Sequence, residues 1–192
     1  TEVEARNTDL RVALEQQTAT SELLKVIGRS AFDLQPVFQT LAENAVRLCD
    51  AQHASIWRFD GTLLHAVVTH NVADARRAFI ESHPLAPGRN SAAARAALER
   101  RTIHVPDAFA DPEYTYGHGA GLDPLRTVLA IPMLRADELL GVIFIHRREV
   151  LPFSATQIAL METFADQAAI AIENARLLGE LQAKNRELTE SL

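Results

Sequence analysis

The 192-residue sequence predicts an α+β fold, in which an antiparallel sheet carries helices mainly on one face and a long helix lies at each end. Two apolar stretches interrupted by turn residues indicate β-hairpins, and hairpins pair their strands antiparallel. The patterns follow in the order helix, helix, hairpin, helix, strand, hairpin, long helix. The closing helical pattern is too long to pack wholly on one small sheet, so part of it is expected to extend beyond the domain.

Composition narrows the class of protein. The chain is 47% hydrophobic and 23% charged, which is typical of a globular domain, and its net charge of −6 argues against a nucleic-acid surface. Cys49 is the only cysteine, which excludes an intrachain disulfide and fits a reducing compartment. With no membrane span or signal-peptide pattern and no initiator Met, the sequence predicts a cytoplasmic piece of a larger protein.

The first two elements are predicted as helices. Residues 2–28 carry apolar residues that alternate by four and three positions, the spacing of a coiled-coil seam. This N-terminal seam comprises Val3, Asn7, Leu10 and Leu14. A second helix is predicted in "DLQPVFQTLAENAVRLCDA", where Pro36 suits a first-turn position.

The middle of the chain alternates short elements with turns. "ASIWRFDGTLLHAVVTH" predicts a hairpin with a two-residue Asp60-Gly61 turn, because both positions tolerate positive φ. "ADARRAFIE" and "SAAARAALERR" predict two helices separated by the loop "PLAPGRN". "TIHVPD" predicts a brief strand that Pro106 ends, and residues 107–123 are rich in turn formers.

The last third predicts a second hairpin and the long helix. "RTVLAIPML" and "LLGVIFIHR" are two buried strands joined by "RADE". Ser154 and Gln157 form a capping-box pattern, and the helix that follows is expected to run for about 38 residues to the end of the chain. Its tail carries a second seam, made of Leu178, Leu181, Asn185, Leu188 and Leu192. An Asn at a buried seam position fixes register and favours parallel dimers.

The two ends of the chain resemble each other. "VEARNTDLRVAL" and "LQAKNRELTESL" run in step, so that Asn7 matches Asn185 and Leu10 matches Leu188. Two interpretations remain open: both are charged helices of similar composition, or they are successive linkers in an array with one module between them.

Four stretches resemble the GAF domain, in the form found in bacterial sensor histidine kinases and cyclases. They are "LCDAQHASIWRFDG", "PGRNSAAARAALERRTIHVPD", "RTVLAIPML…LLGVIFIHR" and "PFSATQIALMETFADQAAIAIENARLL". The resemblance implies a GAF domain over residues 30–177, an N-terminal signalling helix over 1–29 and a coiled-coil linker over 178–192. It also implies an antiparallel sheet of about six strands with helices on both sides, and a ligand pocket between the sheet and the covering helices and loops.

The resemblance implies a regulatory function without catalysis. We expect a sensor or relay module of a multidomain bacterial signalling protein, which forms a parallel homodimer and adjoins GAF, kinase or cyclase domains of the same chain. The ligand would be an unidentified small molecule. The alternative is a purely structural dimerisation module without a ligand. An enzyme would need a convergent nucleophile and base, and the sequence shows no such pair.

Known ligand signatures of the family are missing. There is no Asn-Lys pair of the cyclic-nucleotide-binding members, and the histidines show no metal-ligand spacing, so no metal site is predicted. Cys49 continues the apolar side of the second helix, which favours core packing over attachment of a bilin. A haem remains open, although nothing selects one histidine. A single cysteine cannot perform the attack and resolution of a methionine sulfoxide reductase. The cofactor is therefore unknown.

The candidate pocket residues come from the loops and the first hairpin. Asn90 or Ser91 should cap the following helix with Arg89 beside it, an arrangement that binds a carboxylate or phosphate or is simply a solvated cap. Trp57 and Phe59 share one strand face, as core or as a stacking surface. The remaining candidates lie on the loop that lids the pocket in the family, or precede the next strand: His104, Asp107, Tyr114, Tyr116, Arg126 and Thr127.

Overall fold

The computed structural model of the protein describes residues 1–29 and 33–192. The helices are α1 (Glu2–Arg29), α2 (Gln35–Cys49), α3 (Asp74–Ser82), α4 (Ala92–Glu99) and α5 (Ala155–Glu190). The strands are β1 (His53–Phe59), β2 (Leu64–His70), β3 (Ile103–Val105), β4 (Thr127–Arg135) and β5 (Glu138–Arg147). The predicted start of the GAF domain at residue 30 lies outside the described residues.

The strands form one antiparallel sheet in the order β2-β1-β5-β4-β3. The α+β class is confirmed. Within the described ranges the sheet has five strands, one for each strand pattern in the sequence, whereas the resemblance implied about six. The stretch between β3 and β4 forms a 3-10 turn at Ala108–Ala110 and loops, and so adds no strand.

Each face of the sheet has its own hydrophobic core. Side chains alternate along a strand, so β5 sends Ile143 and Ile145 to one face and Val142 and Phe144 to the other. The first face packs against α2, α5 and the second half of α1, which buries Ala19 and Leu23. The second face packs against α3, α4 and the loop before β4. Helices therefore lie on both faces, which confirms what the resemblance implied, whereas the expectation of one mainly covered face from element order alone is wrong.

The turn of the first hairpin differs from the prediction. The hairpin forms, but residues 60–63 connect its strands instead of Asp60 and Gly61 alone. The Asp60 carboxylate accepts hydrogen bonds from the N–H groups of Thr62 and Leu63, both at 2.8 Å. An aspartate that bonds the backbone ahead of it stabilises a wider loop than a two-residue turn.

Helix α5 begins as predicted and runs out of the domain. The Ser154–Gln157 capping box is present, and the helix spans 36 residues to Glu190, two short of the chain end. Its buried residues end at Ile172, beyond which the helix contributes nothing to the core. No helix in the described part of the chain combines the length and apolar character that a bilayer crossing requires.

Candidate ligand-binding site

A small cavity lies between the second face of the sheet and the elements that cover it. Its volume of about 30 Å³ suffices for one or two water-sized groups as the side chains stand. It is lined by Ser55, Trp57, Val72, Arg76, Ile80, Ser91, Ala93, Tyr114, Tyr116, Leu125, Phe144 and His146. The wall is mostly apolar with a few polar groups, which is the usual composition of a small-molecule site.

Strand alternation builds the floor of the cavity. On β1 it places Ser55 and Trp57 on the same face, and the Trp57 indole N–H donates to the Ser55 hydroxyl at 2.8 Å. On β5, beside β1 in the sheet, it places Phe144 and His146 on that face. The register pairs Ser55 with Phe144, so both strands contribute to one continuous floor.

The loop after β3 forms the roof. The carbonyl of Asn90 accepts the N–H groups of Thr115 at 3.1 Å and Tyr116 at 3.0 Å, which holds this loop against the start of α4. The Tyr116 hydroxyl donates to the carbonyl of His83 at 2.8 Å. Burial raises the pKa of Tyr114 to about 12, so its hydroxyl is protonated at neutral pH. Both tyrosines proposed from the sequence therefore line the cavity.

Helix α4 is capped as the sequence suggested. Between the two alternatives Asn90 and Ser91, the structure selects Ser91, whose hydroxyl accepts the N–H of Ala94 at 3.0 Å. Ser91 is buried and lines the cavity, whereas the Asn90 side chain is exposed. The N-terminal end of α4 thus faces the cavity.

Two charged or titratable cavity residues were missed in the sequence. Arg76 on α3 is 8% exposed and its Nη2 donates to the carbonyl of Asp123. His146 on β5 is 3% exposed, and its Nδ1 has no hydrogen-bond partner among the described residues. Burial lowers the pKa of His146 well below its ordinary value, with further lowering from His53 and Arg76, so the ring is neutral. A signal did exist: Arg76 lies one helical turn before Ile80 and His146 alternates with Phe144, so both occupy otherwise apolar faces.

Arg89, Asp107 and Arg126 are paired outside the cavity. Arg89 is an exposed side chain whose Nε donates to Glu113 at 2.6 Å, which turns it away from the start of α4. Arg126 donates twice to the Asp107 carboxylate, both at 2.9 Å. This pairing lowers the pKa of Asp107 and ties the 3-10 turn to the start of β4. These side chains fix the roof loop rather than line the cavity.

His104, Thr127 and Phe59 also lie away from the cavity. The His104 Nε2 accepts the N–H of Phe153 at 3.2 Å, just before α5. The Thr127 hydroxyl donates to the carbonyl of Pro106 at 2.6 Å and accepts the N–H of Leu151 at 2.9 Å. Phe59 is partly buried at the end of β1, beyond the cavity floor.

The remaining groups considered for chemistry are the cysteine and possible metal ligands. Cys49 is fully buried in the core on the opposite face of the sheet, and burial raises the pKa of its thiol to about 12. Across residues 1–29 and 33–192, no cluster of three or more His, Cys, Asp or Glu side chains is placed to hold a metal ion.

Comparison with known proteins agrees with this geometry. A family model described as the GAF domain matches residues 33–172. The chain belongs to the GAF family. GAF domains are regulatory and signalling modules.

Solved structures share the fold. The GAF domain of a phosphoenolpyruvate-protein phosphotransferase from Coxiella burnetii aligns with a TM-score of 0.75 and 20% identity, over 89% of this chain and 98% of that chain. The GAF domain of the Acinetobacter phosphoenolpyruvate-protein phosphotransferase gives a TM-score of 0.70 and 13% identity, over 84% and 95%. Free methionine-R-sulfoxide reductase from Neisseria meningitidis, solved with its substrate, gives 0.70 and 15%, over 88% and 93%. At these identities the likeness concerns the fold alone.

Proposed function

We propose that this GAF domain is a sensor and relay module of a multidomain bacterial signalling protein, of the sensor histidine kinase or cyclase type. It would bind a small molecule in the cavity, act in the cytoplasm and pass its signal through α5 to a neighbouring GAF, kinase or cyclase domain. The supporting observation is that β5 contributes side chains to the cavity on one face of the sheet and to the core that contains α5 on the other. Phe144 and His146 line the cavity, while Ile143 and Ile145 between and beside them pack in the core that contains α5.

This arrangement couples the cavity to the output helix through one strand. A ligand that displaces Phe144 shifts the backbone that also carries Ile143 and Ile145, and close-packed cores transmit such shifts. Met161 and Phe164 of α5 are fully buried in the same core, so a movement of β5 changes how α5 packs against the sheet.

The relay requires a dimer, and the chain offers exposed apolar residues for it. Leu10, Leu14, Leu181 and Leu188 are each more than half exposed in the single chain. We assign them, with Val3, Asn7, Leu178, Asn185 and Leu192, to seams with a second copy in a parallel homodimer. A ligand then acts by shifting the population between two dimer packings, which requires different affinities for the two.

A purely structural dimerisation module is the second candidate. The observation that favours it is the size of the cavity, about 30 Å³, against the roughly 300–1,000 Å³ typical of sites for drug-sized ligands. In that case the side chains of the domain itself fill the space, and the module holds its neighbours in register.

Analysis of the protein as purified from cells separates the two candidates. The absorption spectrum would be recorded first, and small molecules would then be released by denaturation and identified by mass spectrometry. A sensor is expected to release a metabolite or pigment in stoichiometric amount, or to gain thermal stability with one compound of a metabolite panel. If nothing is released and no compound raises the melting temperature, the sensor proposal fails and the structural module is favoured.

A further inference from the structure

Three buried arginines differ in how their charge is satisfied. Arg147 donates to four carbonyls, those of Cys49, Asp50, Leu151 and Pro152. Arg95 pairs with the Asp111 carboxylate at 2.6 Å and also donates to the carbonyl of Arg89. Arg76 has one hydrogen bond in the described part of the chain, to the carbonyl of Asp123. Among the described residues, Arg95 Nη2 is buried without a partner, but Arg76 has the fewest hydrogen bonds of the three and no carboxylate partner, and it is the one that lines the cavity.

The carboxylate near Arg76 is already engaged. Asp123 pairs with Arg148 through Nη2 and Oδ2 at 3.0 Å, and among residues 1–29 and 33–192 no carboxylate comes within ion-pair distance of Arg76. The Asp123 carboxylate therefore pairs with Arg148, whereas Arg76 bonds only the backbone carbonyl of Asp123, which leaves the positive charge of Arg76 without a paired carboxylate within these ranges. A guanidinium keeps its proton even when buried, so this charge persists at neutral pH. A buried charge without a partner is costly, and a bound anion would remove this cost.

The N-terminal end of α4 adds a second positive feature. The Ser91 hydroxyl accepts the N–H of Ala94, and the N–H of Ala92 is directed at the Tyr114 hydroxyl, while the N–H of Ala93 lacks an acceptor within the helix. Ser91 and Ala93 line the cavity and are 2% exposed. The partial positive charge of a helix start favours anions.

His146 is a second polar residue of the cavity wall whose hydrogen bonding is incomplete. Its ring is enclosed by the cavity wall, yet Nδ1 has no partner in the described structure. Buried polar atoms of this kind are few in folded proteins, and each calls for an explanation. A neutral imidazole carries one N–H, and because Nδ1 is enclosed as the side chains stand, it can donate to an anion only when the cavity wall widens.

We propose that the cavity binds a small organic monocarboxylate, held by Arg76, the start of α4 and His146. The short apolar part of the ligand lies against Trp57 and Phe144. The cavity volume of about 30 Å³ holds one or two water-sized groups as the side chains stand, so binding of even a small carboxylate requires the cavity wall to widen. This inference rests on the proposed sensor function, since it names the class of ligand for the same cavity.

The test is a calorimetric titration of the intact protein at neutral pH with sodium acetate, sodium propionate and sodium pyruvate. Acetamide and propionamide serve as neutral analogues of similar shape, and sodium chloride as the ionic-strength control. Saturable binding is expected for at least one carboxylate and for neither amide. This comparison needs no variant, so it holds even if a substitution in the cavity prevents folding.

Variants on α3 then identify the residue responsible. Arg76→Gln is expected to weaken carboxylate binding about 10- to 100-fold, the usual effect of losing charge-assisted hydrogen bonds. Arg77→Gln is the matched control, because the neighbouring Arg77 is 44% exposed and pairs with Asp74. Its affinity should equal that of the unchanged protein.

The contrary outcomes separate the carboxylate inference from the sensor function. No saturable binding of any of the three carboxylates overturns this inference. Equal binding of propionate and propionamide, or binding of inorganic phosphate in preference to carboxylates, also overturns it. If the purified protein instead releases a neutral metabolite in stoichiometric amount, the sensor function stands and only the carboxylate assignment falls. If nothing is released and nothing binds, both fail.

Discussion

At the scale of single residues, the cavity owes its character to polar side chains placed on apolar faces. The ring centroids of His53 and His146 lie 4.6 Å apart on the sheet with the rings tilted by 33°, and His53 Nδ1 bonds to the carbonyl of Asn71. Burial lowers the pKa of both rings, most strongly that of His146. Neutral imidazoles next to Arg76 avoid the repulsion that a further positive charge would create.

The depressed pKa of His146 predicts acid sensitivity. Unfolding exposes the ring, whose pKa then returns to about 6.5. Below that pH the unfolded state binds a proton that the folded state does not bind. Stability is therefore retained above about pH 6.5 and falls with decreasing pH, by up to about 1.4 kcal/mol per pH unit for this group. Urea unfolding between about pH 7.5 and pH 5 should show this slope reduced in His146→Gln. A slope unchanged by His146→Gln would contradict the assignment; His70→Gln, which alters a half-buried histidine of β2, is the control.

At this scale the sequence predicted the site residues whose signals are local, and it did not predict those whose position depends on contacts between distant parts of the chain. Ser91 was named as a cap because the signal is local, and Tyr114 and Tyr116 were named because they occur on the loop that the family places over its pocket. Arg89 was expected near the cavity, but it pairs at the surface with Glu113, which lies 24 positions later in the sequence. Such pairings depend on tertiary proximity, which no local pattern carries. Arg76 was missed because its helix was given no function.

At the scale of elements, the two hairpins show what turn chemistry does and does not determine. The Asp-Gly pair predicted a two-residue turn and formed a wider loop, whereas Ala136 and Asp137 form a two-residue connection without glycine and adopt positive φ of 49° and 67°. The second turn is imposed by the pairing of β4 and β5, whose buried residues set the register. The local apolar pattern therefore predicted the strands, whereas the geometry of the turns depends on how the strands pair in the sheet.

Gly141 on β5 leaves no room for a side chain between the neighbouring strands. An added Cβ at Gly141 would clash with the carbonyl oxygen of Trp57 and lie 2.7 Å from the Met133 methyl. Gly141→Ala should therefore destabilise the fold by about 3 kcal/mol or more, because backbone of β1 must move. Gly179→Ala is the matched control: it adds a Cβ with no heavy atom within 4 Å, inside α5. That change should stabilise the protein by about 0.5–1 kcal/mol.

Chemical denaturation of the two alanine variants measures both effects. The midpoint should fall for Gly141→Ala and rise slightly for Gly179→Ala, with similar slopes. Equal stability of the two variants would show that β1 and β5 separate easily at this point. In that case β5 would lack the rigidity that the proposed relay from the cavity to α5 requires.

At the scale of the whole molecule, the domain is a compact sheet with helices that extend beyond it. Helix α5 has 36 residues, or roughly 54 Å at about 1.5 Å per residue, while its buried positions lie between Met161 and Ile172. Its second half and the first half of α1 carry the two seams predicted from the sequence. The periodicity that predicted them is local, but the partner they require lies outside a single chain.

The dimer prediction is tested by removing apolar side chains from the α5 seam. Leu181 and Leu188 are 57% and 64% exposed, and one turn of helix separates each from Asn185. The double change Leu181→Ala and Leu188→Ala should convert dimers into monomers at micromolar concentration in sedimentation experiments, because each truncated leucine loses about 2 kcal/mol or more of buried apolar contact in both copies. Arg186→Ala with Glu190→Ala changes the same turns off the seam and should leave the dimer intact.

The two double variants together decide whether the seam or the helix as a whole is responsible. Dimers that persist after loss of both leucines would place the interface elsewhere on the domain. Dissociation by the control as well would indicate that helix stability, not the seam, holds the copies together. If only the leucine variant dissociates, α5 is held in a defined register by its partner. A change in the cavity can then reach a neighbouring domain as a rotation of α5 or a shift of its register against the partner helix. A helix without a fixed partner would move freely, so a displacement at the cavity would not be transmitted along it.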